Sequence, residues 1–136
     1  MSLSDETIQE TLDSDSMHEV VDSESNRDKI KLEFEKAFDQ AKSLLGDKWQ
    51  DVRTIYDMSF DKDFDLKKET RYVTLGALAY LVSPIDLLPE KLLGPLGLAD
   101  DAAVLFWAIN RSKPEIERYR AFKGEALAEN DEANKS

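Results

Sequence analysis

The chain has 136 residues, is 41% hydrophobic, contains no cysteine and carries a net charge of −11 at pH 7. This length and composition suit one small globular domain, and the lack of cysteine excludes disulfides and thiolate metal sites. Eight acidic residues and no Lys or Arg lie in residues 1–24, so residues 25–136 carry only −3. Such a balance gives no basic surface for phosphate backbones, and we expect no nucleic-acid partner.

The N-terminal residues 1–25 are rich in Ser, Asp and Glu and contain few apolar side chains. Such a segment buries too little apolar surface to offset the entropy lost on ordering, so we predict a disordered acidic tail. His18, the only histidine, stands alone there and makes neither a metal site nor a catalytic triad. The segment also lacks the basic and apolar regions of a signal peptide, which favours a cytoplasmic location.

Two amphipathic helices are predicted after the tail. Apolar residues at three- and four-residue steps predict the first over Arg27–Leu45. Ser25 and Asp28 have the spacing of a capping box at its start, and Gly46 is placed as a left-handed stop at its end. The second and shorter helix is predicted over Trp49–Met58.

The most apolar helix is predicted over Leu66–Val82, after a loop at Phe60–Asp65. Its C-terminal half is hydrophobic on all sides, which is typical of a helix at the centre of a bundle or against a membrane. Gly76, Ala77 and Ala79 are small enough to let another backbone approach closely.

The segment Ser83–Asp101 contains three prolines and two glycines, so it cannot form one regular helix. It precedes a short apolar helix predicted over Ala102–Asn110. A last helix is predicted from Lys113 to Ala128, with Ser112 and Glu115 as a capping box.

The most distinctive string is Ser83-Pro-Ile-Asp-Leu-Leu-Pro89. Ser83 is placed as an N-cap and Pro84 at the first helical position, where a missing N–H costs nothing. Asp86 then lies at the third position, where its carboxylate faces free N–H groups and the positive end of the helix dipole. Pro89 ends or kinks this turn.

The carboxylates Asp86, Glu90, Asp100 and Asp101 admit two interpretations. In the first, Asp86 caps its own turn and Asp100 and Asp101 cap the helix after them. In the second, a closed hairpin brings the four together as oxygen ligands of Mg²⁺ or Ca²⁺, and Asp86, Asp100 and Asp101 serve a small metal-dependent hydrolase. Their spacing is not that of an EF-hand loop, which favours capping.

At these residues the sequence resembles the YkvA-like family, a bacterial and eukaryotic domain of unknown function. The string Tyr80–Pro89 matches the family's Ser-Pro-Ile-Asp-Leu-Ile-Pro pattern, and Gly97 with Asp100-Asp101 matches its second half. The resemblance covers about residues 66–111. It implies a compact helical hairpin and an association with membranes, but no reaction.

We therefore predict an all-α fold of about five helices around a central apolar hairpin, formed by the helix ending at Val82 and the helix after Asp101. One domain over residues 26–128 is expected between the disordered tail and a disordered C-terminal end at 129–136.

For function, the sequence favours a non-enzymatic interaction module without a cofactor, because no nucleophile, oxyanion hole or phosphate-binding loop is recognisable. Its expected partner is a protein or a membrane surface. A spanning helix is not expected, since a span needs about 18–20 consecutive apolar residues and the charge-free run Tyr72–Ile85 is shorter.

Overall fold

A computed structural model of the chain describes residues 3–97 and 101–134, and in these ranges it contains helices and connecting turns but no strand. The predicted all-α fold is confirmed. The helices of the described part are α1 (Leu3–Leu12), α2 (Asp15–Asp22), α3 (Glu24–Leu45), the 3₁₀ turn η1 (Gly46–Lys48), α4 (Trp49–Phe60), α5 (Lys68–Val82), α6 (Pro84–Leu87), α7 (Glu90–Gly97), α8 (Asp101–Arg111) and α9 (Lys113–Asn134).

The apolar helix α5 lies at the centre of the bundle. Its residues Tyr72–Ala79 are all buried, and α1, α2, α3, α4 and α8 pack around it, with α8 as its most extensive neighbour. A helix enclosed on every side has no solvent face, which explains why its sequence shows no polar stripe. The predicted central hairpin of α5 and α8 is therefore confirmed.

The N-terminal segment is folded, and the predicted disordered tail is wrong for residues 3–22. These residues form α1 and α2, which pack on α5, α7 and α8. The exposed fractions of Ile8, Leu12, Met17, Val20 and Val21 are at most 7%. The composition predicted disorder wrongly because it ignores position. These apolar residues share one helix face, while the acidic residues occupy the other.

The N-terminal helices approach α5 most closely at Gly76. A Cβ placed on Gly76 would lie 3.1 Å from Leu12 Cδ2 and 3.1 Å from both Cγ and Sδ of Met17. The sequence predicted that a backbone would approach at this glycine. The structure instead fills the space with two side chains from the segment that was expected to be disordered.

The start of α3 differs from the prediction. Ser23 is its N-cap, and Ser23 Oγ accepts the backbone N–H of Asn26 at 3.3 Å. The predicted capping box of Ser25 and Asp28 is therefore wrong, because α2 ends directly before α3 and moves the helix start towards the N-terminus. At the other end of α3, Gly46 has φ 56° and stops the helix as predicted.

The start of α9 also differs from the prediction. Ser112 Oγ is buried and has no hydrogen-bond partner among the described residues, so it does not act as a capping-box serine. The Glu115 carboxylate accepts a distant N–H instead, that of Lys67 at 3.3 Å. At its other end α9 extends to Asn134, whereas the sequence predicted that order ends at Ala128.

Candidate functional site

The proline-bounded string forms a compact turn between α5 and α7, defined here as the motif turn, residues 83–89. Pro84 is the first residue of α6, as predicted. The N–H of Leu87 donates to the carbonyl of Ser83 at 3.0 Å, and the N–H of Leu88 donates to the carbonyl of Pro84 at 2.9 Å. Pro89 separates α6 from α7, so the prolines limit α6 to a single turn.

Buried leucines anchor the motif turn to the bundle. The exposed fractions of Leu87 and Leu88 are 7% and 4%, and in α7 those of Leu92 and Leu96 are 2% and 0%. The hydroxyl of Tyr80 on α5 also donates to the carbonyl of Leu96 at 3.2 Å. The turn is thus anchored by its own buried leucines and by the hydrogen bond between its flanking helices α5 and α7.

Within this anchored turn, Ile85 points into solvent. Its exposed fraction is 84%, compared with 52% for Leu32 and 37% for Phe106, the other large apolar residues exposed in the described part. Single exposed apolar residues are common on protein surfaces. Ile85 differs because the prolines and the buried leucines hold it at a fixed position in water.

The predicted capping roles of Ser83 and Asp86 are not those observed. The hydroxyl of Ser83 makes no capping bond to the backbone and instead donates to Asp86 Oδ2 at 3.3 Å. The same oxygen accepts Lys29 Nζ of α3 at 3.2 Å. Asp86 therefore connects the motif turn to α3. Sequence reasoning missed Lys29 because no local pattern connects residues so far apart in the chain.

The structure describes only two of the four carboxylate side chains in the predicted cation site. Asp100 and the side chain of Asp101 lie outside the described residues, so their capping and metal interpretations remain predictions. Among the described side chains, no group of three or more His, Asp and Glu lies close enough to hold a metal ion. Asp86 is directed to Lys29, whereas Glu90 Oε1 lies over its own helix, 3.6 Å from the position of a Cβ on Gly94.

An open groove of about 390 Å³ between α3, α4 and α9 holds the most perturbed titratable groups of the described part. Burial, together with hydrogen bonds to Glu35 and Asp61 respectively, raises the pKa values of Tyr56 and Tyr119. Burial also raises the pKa of Asp57, despite its ion pair with Arg53. Both hydroxyls therefore stay protonated near neutral pH and donate to their carboxylates.

Across the described helices, none combines the length and apolar character required to cross a membrane alone. Only α7 and α8 together meet the criterion of length and composition, as a pair bent by 98°.

Comparison with known proteins places the motif turn inside a segment that matches a family model. Residues 70–107 match the model of a family described as "Protein of unknown function (DUF1232)". The "Uncharacterized membrane protein YkvA" of Bacillus subtilis (strain 168) is 36% identical over 55 residues, which cover 40% of this chain and 51% of that protein. Both matches support a YkvA-like domain of unknown function, in agreement with the predicted resemblance.

Other relatives carry a different name. The "E3 ubiquitin-protein ligase RNF170" of Xenopus laevis is 66% identical over 32 residues, which cover 24% of this chain and 12% of the ligase. The protein of the same name from Danio rerio is 41% identical over 73 residues, which cover 48% of this chain and 27% of the ligase. The chain thus spans a small part of these ligases and about half of YkvA. No solved structure gives a significant match to the chain.

Proposed function

We propose that this chain is a non-enzymatic interaction module that docks, through Ile85 and the motif turn, on a protein component of a membrane. The observation that carries the proposal is the 84% exposure of Ile85 just before the buried Leu87 and Leu88. Parts of the chain also match relatives named as a ubiquitin ligase and as a membrane protein. Matches to proteins of such different description support a portable binding unit.

The size of the apolar contact favours a protein over bare lipid. Complete burial of an isoleucine side chain contributes only about 1.5–3 kcal/mol, whereas even a whole myristoyl chain, at roughly 0.8 kcal/mol per buried CH₂, gives marginal membrane binding. The net charge of −11 adds repulsion from anionic lipid. In a protein pocket the same side chain contributes more to binding, because it is a fully desolvated anchor inside a polar rim.

Charged residues that follow Ile85 in the sequence can supply a polar rim. Asp86, Glu90 and Lys91 are exposed, and Asp86 forms an ion pair with Lys29 of α3. An apolar anchor within a charged border is the usual arrangement of a non-obligate protein interface. YkvA is named as a membrane protein, and this name supports a partner located in a membrane.

Site-specific photo-crosslinking tests the proposal. A photoreactive amino acid replaces Ile85 in one variant and Lys62, an exposed loop residue outside the family match, in the control. Each variant is irradiated with detergent-solubilised membranes and with the soluble fraction of the source cells. We expect one discrete protein adduct from position 85 in the membrane fraction only, competed by excess wild type but not by Ile85→Glu.

Two outcomes would contradict the proposal. Identical adduct patterns from positions 85 and 62 would show that the motif turn is not a specific contact. Co-sedimentation with protein-free vesicles of neutral phosphatidylcholine, lost in Ile85→Glu, would show that the turn binds lipid itself.

A further inference from the structure

We propose that the N-terminal helices α1 and α2 exchange between two copies of this chain, with Ser23 as the hinge. The surface of α5 that receives these helices is then an interaction surface for a second copy. This inference is independent of the docking function proposed for Ile85, because it concerns residues on another part of the bundle.

The hinge consists of one residue. α2 ends at Asp22 and α3 begins at Glu24, and Ser23 between them has the extended angles φ −72° and ψ 117°. A change of Ser23 to helical angles would join α2 and α3 into one continuous helix over residues 15–45 and carry α1 and α2 away from α5. Few backbone angles need to change for a movement of this size.

Two local hydrogen bonds hold the corner closed. Ser23 Oγ accepts the backbone N–H of Asn26 at 3.3 Å, and the Asn26 side chain donates to the carbonyl of Val20 at 3.0 Å. A continuous helix removes the need for the first bond, because the N–H of Asn26 then has a helical carbonyl partner. The local backbone preference for the bent or the straight hinge is thus set at residue 23, whereas the burial of α1 and α2 is the same in the closed copy and in the exchanged pair.

The contacts of α1 and α2 with α5 do not depend on both belonging to the same copy. Leu12 and Met17 fill the space at Gly76, and the His18 ring stacks on Tyr72 with 3.8 Å between centroids. The Tyr72 hydroxyl donates to Asp22 Oδ1 at 2.9 Å. In every case one partner precedes the hinge and the other lies on α5, so a second copy can supply either side.

An opened single copy would expose Ile8, Leu12, Met17, Val20 and Val21, which are buried in the closed form. The reciprocal exchange buries all five again in both copies. The resulting pair has twofold symmetry, with the same surface used by each chain. The pair has two hinges, so the free-energy effect of a substitution at residue 23 enters twice into the free energy of dimerisation.

Substitutions at the hinge test the proposal. Ser23→Ala removes the cap and favours the continuous helix, so we expect its dimer to dissociate at a concentration about tenfold or more below that of wild type. Ser23→Gly disfavours the continuous helix, since glycine is tolerated at an N-cap but not inside a helix, and we expect weaker dimerisation than wild type. Ser25→Ala, an exposed serine two residues further on, is the matched control. Sedimentation velocity over a concentration series measures all four proteins.

A crosslink between different copies identifies the exchanged helices. The chain contains no cysteine, so His18→Cys in one copy and Lys68→Cys in a size-tagged copy are the only reactive thiols. Both positions flank the Tyr72 ring, with Lys68 Nζ 5.7 Å from its centroid. We expect a short bis-maleimide to join the two copies in the dimer, in the Ser23→Ala background and, at higher concentration, with Ser23 retained.

The proposal is wrong if Ser23→Ala dimerises no more tightly than Ser25→Ala, or if its dimer forms without the crosslink between copies. The second result would assign the dimer to another surface. If Ser23→Ala loses its helical circular dichroism, the crosslink with Ser23 retained decides, and its absence at the highest soluble concentration overturns the exchange.

Discussion

The backbone N–H of Lys67, one residue before α5, donates to Oε2 of Glu115 on α9 at 3.3 Å. The same carboxylate accepts Arg118 Nε at 3.0 Å and Arg118 Nη2 at 2.7 Å, and its side chain is only 7% exposed. Glu115 thus satisfies an N–H at the start of the central helix from a different helix. The hydrogen bonds from Arg118, followed by that from Lys67, hold the pKa of Glu115 below its usual value of 4.5.

We expect Glu115→Gln to lower the free energy of unfolding at pH 7 by about 1–3 kcal/mol, because the variant weakens the bonds to Arg118 and Lys67. A glutamate whose folded pKa is depressed stabilises the fold above its unfolded pKa, and this stabilisation is lost as the pH falls through the folded value. The deficit of the variant should therefore be complete at pH 7 and shrink below pH 4.5. Urea unfolding at several pH values measures it.

Glu117→Gln is the control for this experiment. Glu117 lies on the same helix and is exposed, so the same change of charge should shift stability by no more than about 0.5 kcal/mol. A deficit of Glu115→Gln that is equal at pH 7 and in acid would show that the carboxylate charge makes no contribution.

Gly76→Val tests the packing of the N-terminal helices on α5. The added Cβ would lie 3.1 Å from Leu12 and Met17, and the valine methyl groups would need still more space. Overpacking of this kind costs about 1–3 kcal/mol, which exceeds the few tenths that valine gains over glycine in helix propensity. We expect a lower melting temperature and faster hydrogen exchange in α1 and α2.

Gly124→Val provides the matched comparison, because Gly124 is also helical and a Cβ there would meet no atom of the described residues within 4 Å. We expect it to leave stability unchanged or slightly raised. If both valine variants melt alike, the close approach at Gly76 has no energetic importance.

Removal of residues 1–22 should unfold the chain rather than trim it. Burial of Ile8, Leu12, Met17, Val20 and Val21, at about 1.5–3 kcal/mol for each side chain, contributes roughly 8–15 kcal/mol as an upper bound. That is as large as the whole stability of a typical domain, about 5–15 kcal/mol. Circular dichroism and gel filtration should show loss of helix or aggregation.

The corresponding control keeps the helices and neutralises three of their acidic residues. Glu6, Glu10 and Glu19 are exposed, so their combined replacement by glutamine should leave the fold intact. A truncated chain that stays monomeric and helical would show instead that the N-terminal segment is dispensable.

The sequence predicted the helices with many apolar residues and missed two short acidic helices, although the few apolar residues of these two also share one face. α3, α4, α5 and α8 follow the expected apolar patterns, because burial on one face or on all faces leaves a readable signal. α1 and α2 are short and strongly acidic, so their average composition predicts disorder in spite of their few apolar residues. Packing on α5, α7 and α8 stabilises these helices, and these surfaces are not visible in the local sequence.

The candidate site shows the same limit. The prolines and the position of Pro84 were predictable, since their effect on the backbone is local. The roles of Ser83 and Asp86 were not, because Lys29 comes from a helix 57 residues away. The exposure of Ile85 was not predictable either, since it depends on which neighbouring leucines reach the core.

Asp86→Asn distinguishes an ion pair with Lys29 from a cation site at this carboxylate. The side chains of Lys29 and Asp86 are 42% and 63% exposed, and such surface ion pairs contribute about 0–1 kcal/mol and are screened by salt. We therefore expect the variant to lose less than about 1 kcal/mol in unfolding free energy, with no difference from wild type in roughly 1 M NaCl, where the Debye length is about 3 Å. The comparison variant is Leu88→Ala in the same turn. Leu88 is 4% exposed, so this variant should lose about 2–5 kcal/mol of unfolding free energy. A salt-independent loss approaching that of Leu88→Ala would contradict a surface ion-pair role for Asp86. Stabilisation of the wild type, but not of Asp86→Asn, by millimolar Mg²⁺ or Ca²⁺ would mean that it binds a cation, because only a ligand of the native state raises stability with concentration.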